Sequence, residues 1–128
     1  IGEMSISSAI SLRNKMKKGI EGKSEEMDFE MIAPKEVERY LHRQDTFIID
    51  LRPPKEYRER HLKGAVNIPY EKLSGCCLFP RDRLLLFYCD RGSMSMAAAR
   101  EYAEKGYRTK TGVGGFLAYQ GRETESFR

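Results

Sequence analysis

Residues 84–96 read LLLFYCDRGSMSM, an apolar run that passes directly into a short polar loop with one cysteine. Residues 83–88, apolar from 84 onward, are typical of a strand in a parallel sheet, where both faces are buried. The glycine and serines after Cys89 predict a loop, and the alanine-rich residues 95–105 predict a helix that ends before Gly106. The stretch therefore predicts a strand, a loop and a helix in succession, with Cys89 where the strand ends.

Strand-like and helix-like segments alternate on both sides of this stretch. Such alternation predicts an α/β domain in which about five parallel strands form one sheet with helices on both faces. Further strands are expected at residues 29–32, 46–49, 65–67 and 108–111, and helices at residues 34–41, 54–60, 70–73 and after 115.

The size and charge of the chain limit the classes of function that it suits. Its 128 residues, 40% of them apolar, are enough for one compact domain and too few for two. Lys and Arg total 23 against 19 Asp and Glu, and the two signs are interspersed. This balance suits small anionic substrates and gives little support for nucleic acid. The longest uncharged apolar run, residues 84–89, is far short of the roughly 20 residues of a membrane span, so we expect a soluble chain.

The cysteines and histidines point away from disulfides and metals. Cys76, Cys77 and Cys89 form an odd set without a spaced framework, which favours a reducing compartment, the cytoplasm. With two histidines and no Cys-x-x-Cys pair, we predict neither a metal site nor a cofactor. Cys76 and Cys77 are interpreted as surface or packing residues, with a redox or sulfur-relay role as the alternative.

Residues 1–27 differ from the rest and are interpreted as an extension, which leaves residues 28–128 as the domain. Apolar residues recur near a helical period between Ile6 and Ile20, and the polar residues 22–26 predict a linker. We expect this helix to pack on the domain or to fray, and the alternative is a membrane or partner contact.

The position of Cys89 favours a reactive thiolate. At the carboxyl edge of a parallel sheet, the unpaired N–H groups and the dipole of the next helix favour an anion. Arg91 adds a positive charge, and Gly92 allows a loop whose amides point inward. Asp90 opposes the thiolate unless its carboxylate faces solvent or pairs with Arg91. The alternative is that Cys89 is a small buried apolar residue.

The loop from Cys89 to Ser95 resembles the active-site loop of the rhodaneses, the persulfide-forming sulfurtransferases, where Cys-x-x-Gly-x-x-Ser is common. Three more blocks resemble this family's motifs and occur in its order along residues 29–122. They are Asp50-Leu51-Arg52 with Glu56-Tyr57, the run from His61 to Pro69 (HLKGAVNIP), and the run from Gly114 to Tyr119 (GGFLAY).

The resemblance implies a rhodanese-like fold and a sulfurtransferase that carries sulfur on Cys89. A donor such as thiosulfate would load Cys89, and cyanide or a thiol would accept the sulfur. Backbone amides from Arg91 to Ser95 would face the sulfur, which must be open to solvent. The persulfide would be held by the loop residues Asp90, Arg91, Gly92, Ser93, Met94 and Ser95.

Three positions depart from the family pattern. Arg60 stands where glycine usually precedes the histidine, and we expect it to alter a turn rather than the chemistry. Tyr119 replaces a tryptophan, so the packing behind the loop should differ. Met94 stands where arginine is frequent, which removes one contact to an anion. Ser95, six residues after Cys89, is not the arginine of the related phosphatases, so phosphatase activity is disfavoured.

The remaining predictions concern four polar residues outside the loop and two alternative functions. Asp50 and Arg52 are expected to hold the loop geometry through capping and pairing with Glu56 or Asp90, and the alternative is that they border the site. His61 is interpreted as structural and His42 as solvated. The alternatives to an enzyme acting on thiosulfate are a relay that passes persulfide from protein to protein, and a non-catalytic binding or regulatory module of the same fold.

Overall fold

A computed structural model of the protein describes residues 28–73 and 79–127. The strands are β1 (Phe29–Ile32), β2 (Thr46–Asp50), β3 (His61–Leu62), β4 (Val66–Asn67), β5 (Leu84–Tyr88), β6 (Arg108–Gly112) and β7 (Thr124–Glu125). The α-helices are α1 (Pro54–Glu59), α2 (Tyr70–Leu73), α3 (Ser93–Glu104) and α4 (Gly115–Ala118), and a 3₁₀ helix spans Pro34–Tyr40.

Five strands form one parallel sheet in the order β1-β6-β5-β2-β4, which confirms the predicted fold class. The apolar strand β5 lies at its centre. β2 aligns Asp50 with Tyr88 on one side, and β6 aligns Thr111 with Phe87 on the other. Because the strands are parallel, the residues that follow them gather at one edge of the sheet. Cys89 therefore lies at the middle of the carboxyl edge.

The two faces of β5 are covered by different elements, which explains its uninterrupted apolar sequence. Leu85 and Phe87 pack in a cluster with Ala98, Ala99 and Tyr102 of α3. On the opposite face, Leu86 and Tyr88 belong to a second cluster that includes Val37, Leu41 and Tyr119. All five residues of β5 are buried. Each large side chain buried in this way contributes about 1.5–3 kcal/mol of hydrophobic free energy.

A second, two-stranded sheet was not predicted. β3 and β7 pair antiparallel, with His61 opposite Glu125 and Leu62 opposite Thr124. Each strand has only two residues, too few to show the alternation by which strands are recognised in a sequence. The pairing brings the residues near position 124 next to the run from Arg60 to Leu62.

Two helices differ from their predicted form. Residues 34–40 form a 3₁₀ helix. The sequence did not reveal this, because the spacing of a few apolar residues does not distinguish an α-helix from a 3₁₀ helix. α3 begins at Ser93, two residues earlier than predicted, after Gly92, which adopts a left-handed φ of 104°. In the part of the chain that the structure describes, no helix is long and apolar enough to cross a membrane. The predictions for residues 1–27, Cys76 and Cys77 lie outside the described residues.

Candidate active site

Two backbone amides point at the sulfur of Cys89. The nitrogen of Gly92 lies 3.2 Å from Sγ and the nitrogen of Ser95 lies 3.4 Å from it. We expected amides throughout Arg91 to Ser95 to surround the sulfur, and within the described residues only these two bond to it. They come from the loop and from the first turn of α3, whose N–H groups have no partner within the helix. The arrangement provides hydrogen-bond donors for a sulfur anion.

The sulfur is more enclosed than expected. Cys89 is only 1% exposed and belongs to the cluster that includes Phe87 and Ala99. The expectation of an open sulfur is therefore wrong for this conformation. The reason is the period of the strand, since residues 85, 87 and 89 face the same side, on which α3 packs. The sulfur lies on top of this core, beneath the first turn of the helix.

The loop is held from behind by a chain of buried hydroxyl groups. Thr111 Oγ1 donates to Ser95 Oγ at 2.8 Å, and Ser95 Oγ donates to the carbonyl of Gly92 at 3.1 Å. Ser95 is 0% and Thr111 1% exposed. The two bonds connect β6 to the residues that supply both sulfur-binding amides. Sequence reasoning missed Thr111, because nothing near it in the sequence relates it to Cys89.

The segment after Val113 packs directly under the loop. The amide of Phe116 donates to the carbonyl of Cys89 at 2.8 Å, and the amide of Leu117 donates to that of Asp90 at 3.0 Å. Gly115 has a φ of +69°, and a Cβ there would lie 2.4 Å from the Asp90 oxygen. Glycine is therefore required at position 115. The amide of Phe116 in α4 holds the backbone of Cys89 in place by its hydrogen bond.

Asp50 and Arg52 form a buried ion pair beside the loop. Arg52 Nη2 lies 2.8 Å from Asp50 Oδ2, and the side chains are 6% and 0% exposed. Burial alone would lower the pKa of Arg52, but the hydrogen bond and charge of Asp50 outweigh it and raise that pKa. Arg52 Nη1 lies 3.9 Å from Asp90 Oδ1, and its guanidinium lies over the ring of Phe116. Arg52 of this pair thus contacts the loop at Asp90 and α4 at Phe116. Any effect of the pair on the sulfur is indirect.

The outer side of the loop carries both charge and apolar surface. Arg91 and Ser93 are exposed, and Met94 is 39% exposed. Asp90 approaches Arg52 rather than Arg91, with its side chain 45% exposed. Burial, together with the charge and a hydrogen bond of Asp90, raises the pKa of Glu56. Two carboxyl groups therefore meet where the loop begins.

The two histidines lie away from the sulfur. His61 is fully buried, stacks on Tyr57 with ring centroids 3.8 Å apart, and its Nδ1 lies 2.6 Å from the Tyr57 carbonyl oxygen. Its Nε2 lies 3.4 Å from Glu125 Oε2 but has no hydrogen-bond partner among the described residues. His42 is exposed and lies 3.2 Å from Glu123 Oε1. Both contacts connect parts of the fold.

A model of the family described as "Rhodanese-like domain" matches residues 33–122. The chain is 33% identical over 76 residues to a tRNA sulfurtransferase of Desulfurococcus amylolyticus, covering 59% of this chain and 15% of that protein. It is 30% identical over 70 residues to the thiosulfate sulfurtransferase PspE of Escherichia coli K12, covering 52% of this chain and 67% of that protein.

Solved structures give the same fold. A rhodanese homologue of Thermus thermophilus has a TM-score of 0.56 and 31% identity, covering 69% of this chain and 98% of that one. A protein of Staphylococcus saprophyticus has a TM-score of 0.65 at 21% identity, covering 75% of this chain and 98% of that one, which supports the fold alone. The chain spans only 15% of the length of the tRNA sulfurtransferase, so that whole protein's activity does not transfer with the match.

Proposed function

The chain belongs to the rhodanese-like domain family, and from this premise we propose that it is a sulfurtransferase that carries sulfur on Cys89 as a persulfide. The observation that carries the proposal is the pair of amides, from Gly92 and Ser95, that bond to the Cys89 sulfur. Residues 28–128 would form the catalytic domain. The odd number of cysteines favours the cytoplasm as its compartment.

The first half-reaction loads the cysteine. The Cys89 thiolate attacks the outer sulfur of a donor such as thiosulfate, and a bond forms between the two sulfur atoms. The bond between the outer sulfur and the sulfonate sulfur breaks, and sulfite leaves with its electron pair. The amides of Gly92 and Ser95, which bond to Sγ, would stabilise the attacking thiolate, and the persulfide then keeps its negative charge on the outer sulfur.

The second half-reaction unloads it. Cyanide or a thiolate attacks the outer sulfur of the persulfide, and the bond to Cys89 Sγ breaks. The products are thiocyanate or the acceptor's persulfide, together with the regenerated Cys89 thiolate. Charge and atoms balance in both steps, so neither a metal nor another cofactor is required.

The burial of Cys89 adds a step before each transfer. Because the residue is 1% exposed, the groups that enclose Sγ must move before a donor's outer sulfur can reach it. Arg91 and Met94 are long, exposed side chains of the loop, and we propose that their motion helps to open this path. Side-chain motion of this kind is fast compared with typical turnover.

Intact-mass spectrometry tests the proposal directly. Incubation with thiosulfate should add about 32 Da, the mass of one sulfur atom, and dithiothreitol should remove it. Cys89→Ser should gain no mass under the same conditions. A wild-type protein that stays unmodified with thiosulfate and with other sulfane donors would contradict the proposal and favour a binding module.

A protein-to-protein persulfide relay is the second candidate. Met94, 39% exposed, gives the outer side of the loop an apolar side chain where an arginine would bind a small anion. An apolar rim suits contact with another protein better than contact with thiosulfate. Weak turnover of thiosulfate with ready loading by a cysteine desulfurase would favour the relay. Rapid turnover of thiosulfate without a partner protein would argue against it.

A further inference from the structure

We propose that Arg60 determines specificity at the Cys89 site by supplying the cation that binds an anionic sulfur donor, a role that the loop residue Met94 cannot fill. The inference rests on the proposed sulfur transfer for the identity of the donor. The anion site itself can be tested independently of catalysis. Arg60 would be a binding residue that touches the donor, while Cys89 alone would react with it.

Arg60 lies at the same edge of the sheet as Cys89. Its guanidinium carbon is 5.3 Å from the ring centroid of Phe116, and that of Arg52 is 4.3 Å from the same centroid. The amide of Phe116 bonds to the carbonyl oxygen of Cys89 at 2.8 Å. One aromatic residue therefore joins the Arg60 guanidinium to the backbone of the cysteine.

The guanidinium of Arg60 is available to a ligand. Its Nε donates to Thr124 Oγ1 at 3.2 Å, which fixes the direction of the side chain. Neither terminal nitrogen has a hydrogen-bond partner among the described residues, and Arg60 is exposed. Arg52 differs, since its Nε and Nη2 are bonded to Asp50. The two terminal nitrogens of Arg60 form a planar fork that suits the oxygens of a sulfonate.

The charges around the loop make such a cation necessary. Asp90 is half-exposed next to Cys89, and Glu56 contacts it. The charge of Arg52 is balanced by Asp50. A dianionic donor would therefore approach two carboxyl groups, and Arg91 is the one cation within the loop, residues 89–95. Arg60 adds a second positive charge on the side of the loop where Phe116 packs.

The backbone at Arg60 accepts the arginine without strain. Its φ of −169° and ψ of 133° describe extended chain that any residue adopts. The expectation that Arg60 alters a turn relative to the family's glycine stays a prediction. Its carbonyl oxygen accepts a hydrogen bond from Arg52 Nη2 at 2.5 Å, which anchors the residue to the buried ion pair.

Binding of thiosulfate to Cys89→Ser, measured by isothermal titration calorimetry, tests the anion site without turnover. Adding Arg60→Gln, which keeps an amide donor for Thr124 but removes the charge, should raise the Kd about tenfold. Arg60→Lys should raise it about threefold, because the charge stays and the fork is lost. Arg58→Gln, an exposed arginine of α1, is the matched control and should change the Kd less than about twofold.

Kinetics and salt give a second readout in the protein with Cys89 intact. Arg60→Gln should raise the KM for thiosulfate about tenfold with kcat changed less than about twofold, and it should weaken the rise of KM with added NaCl. An unchanged Kd in Arg60→Gln, or an equal change in Arg58→Gln, would overturn the proposal. If Arg60→Gln raises the Kd as expected but the protein with Cys89 intact never forms a persulfide, the sulfurtransferase function is rejected and the anion site stands.

Discussion

At the scale of single residues, the position of the sulfur depends on a hydroxyl group that the reaction does not use. Thr111 Oγ1 donates to Ser95 Oγ, and Ser95 supplies one of the two amides that bond to Cys89. The threonine therefore acts on the sulfur through the loop. It is a positioning residue.

The change Thr111→Val keeps the shape of the side chain and removes its hydrogen bond. We expect a loss of about 1 kcal/mol in the free energy of unfolding and a several-fold slower persulfide loading, because the Ser95 amide is held less firmly. Denaturant unfolding and time-resolved mass spectrometry measure the two effects.

Thr109→Val provides the matched control. Thr109 lies on the same strand, is equally buried, and donates to the carbonyl of Ala99 at 2.9 Å, away from the loop. It should lose similar stability and load at the normal rate. Equal slowing in both variants would show that lost stability, and not lost positioning, limits loading.

Little of this network could be predicted from the sequence. The cysteine loop is recognisable from an apolar strand followed by polar residues and glycine. Thr111 follows 16 residues after Ser95, and its side chain reaches the loop only because β5 and β6 are neighbours in the sheet. Contacts made by strand order are not visible in a local pattern. The contact between Arg60 and Phe116 could not be predicted for the same reason, because the two residues are far apart in the sequence.

At the scale of elements, α4 and the loop form one unit because their backbones are in contact. The left-handed Gly115 lies against the carbonyl groups of Cys89 and Asp90. A side chain at this position would push the two segments apart. The amide of Phe116 would then lose the Cys89 carbonyl that it holds.

Gly115→Ala should therefore be much more harmful than a change at another left-handed glycine. Its Cβ would lie 2.6 Å from the Cys89 oxygen, so we expect a loss well above the about 1–2 kcal/mol of left-handed backbone strain, together with loss of persulfide loading. Thermal unfolding and intact mass are the measurements.

Gly64→Ala is the control that separates the cost of left-handed backbone strain from the cost of a steric collision at the new Cβ. Gly64 has a φ of +81°, and its nearest contact to a Cβ is 3.6 Å, an ordinary van der Waals distance. It should lose about 1–2 kcal/mol and keep its loading. Similar losses in the two alanine variants would argue that the close packing of α4 on the loop does not matter for stability.

The elements themselves were largely predictable, for physical reasons that differ among them. β5 and α3 were found because each has a long run of characteristic residues, apolar in one case and alanine-rich in the other. β3 and β7 were missed because a two-residue strand leaves no periodic signal. The alanine-rich composition predicted a start at residue 95, but α3 begins at Ser93 because the left-handed Gly92 turns the chain into the helix there.

At the scale of the whole molecule, Asp50 connects segments that are distant in sequence. Its carboxylate binds Arg52, whose Nη2 bonds to the carbonyl of Arg60 and whose Nη1 lies near Asp90. It also raises the pKa of Tyr88, second to the effect of burial. The end of β2, the residue before β3, and the cysteine loop therefore share one buried charge pair.

Asp50→Ala should destabilise the protein by about 3–5 kcal/mol, because it leaves the Arg52 charge buried without its partner. Glu101→Gln breaks the exposed ion pair with Lys105 and should cost less than about 0.5 kcal/mol. Urea unfolding of both variants measures the difference. A loss below about 1 kcal/mol in Asp50→Ala would mean that water or another acid replaces the carboxylate.

The enclosure of Cys89 also bears on how long the thiol survives. Peroxide converts an accessible thiolate to sulfenic acid and then irreversibly to sulfinic acid, and the rate follows the exposure of the sulfur. A sulfur in a residue that is 1% exposed seldom meets an oxidant between turnovers. The enclosure that delays a sulfur donor thus also shields the resting thiol from permanent chemical damage.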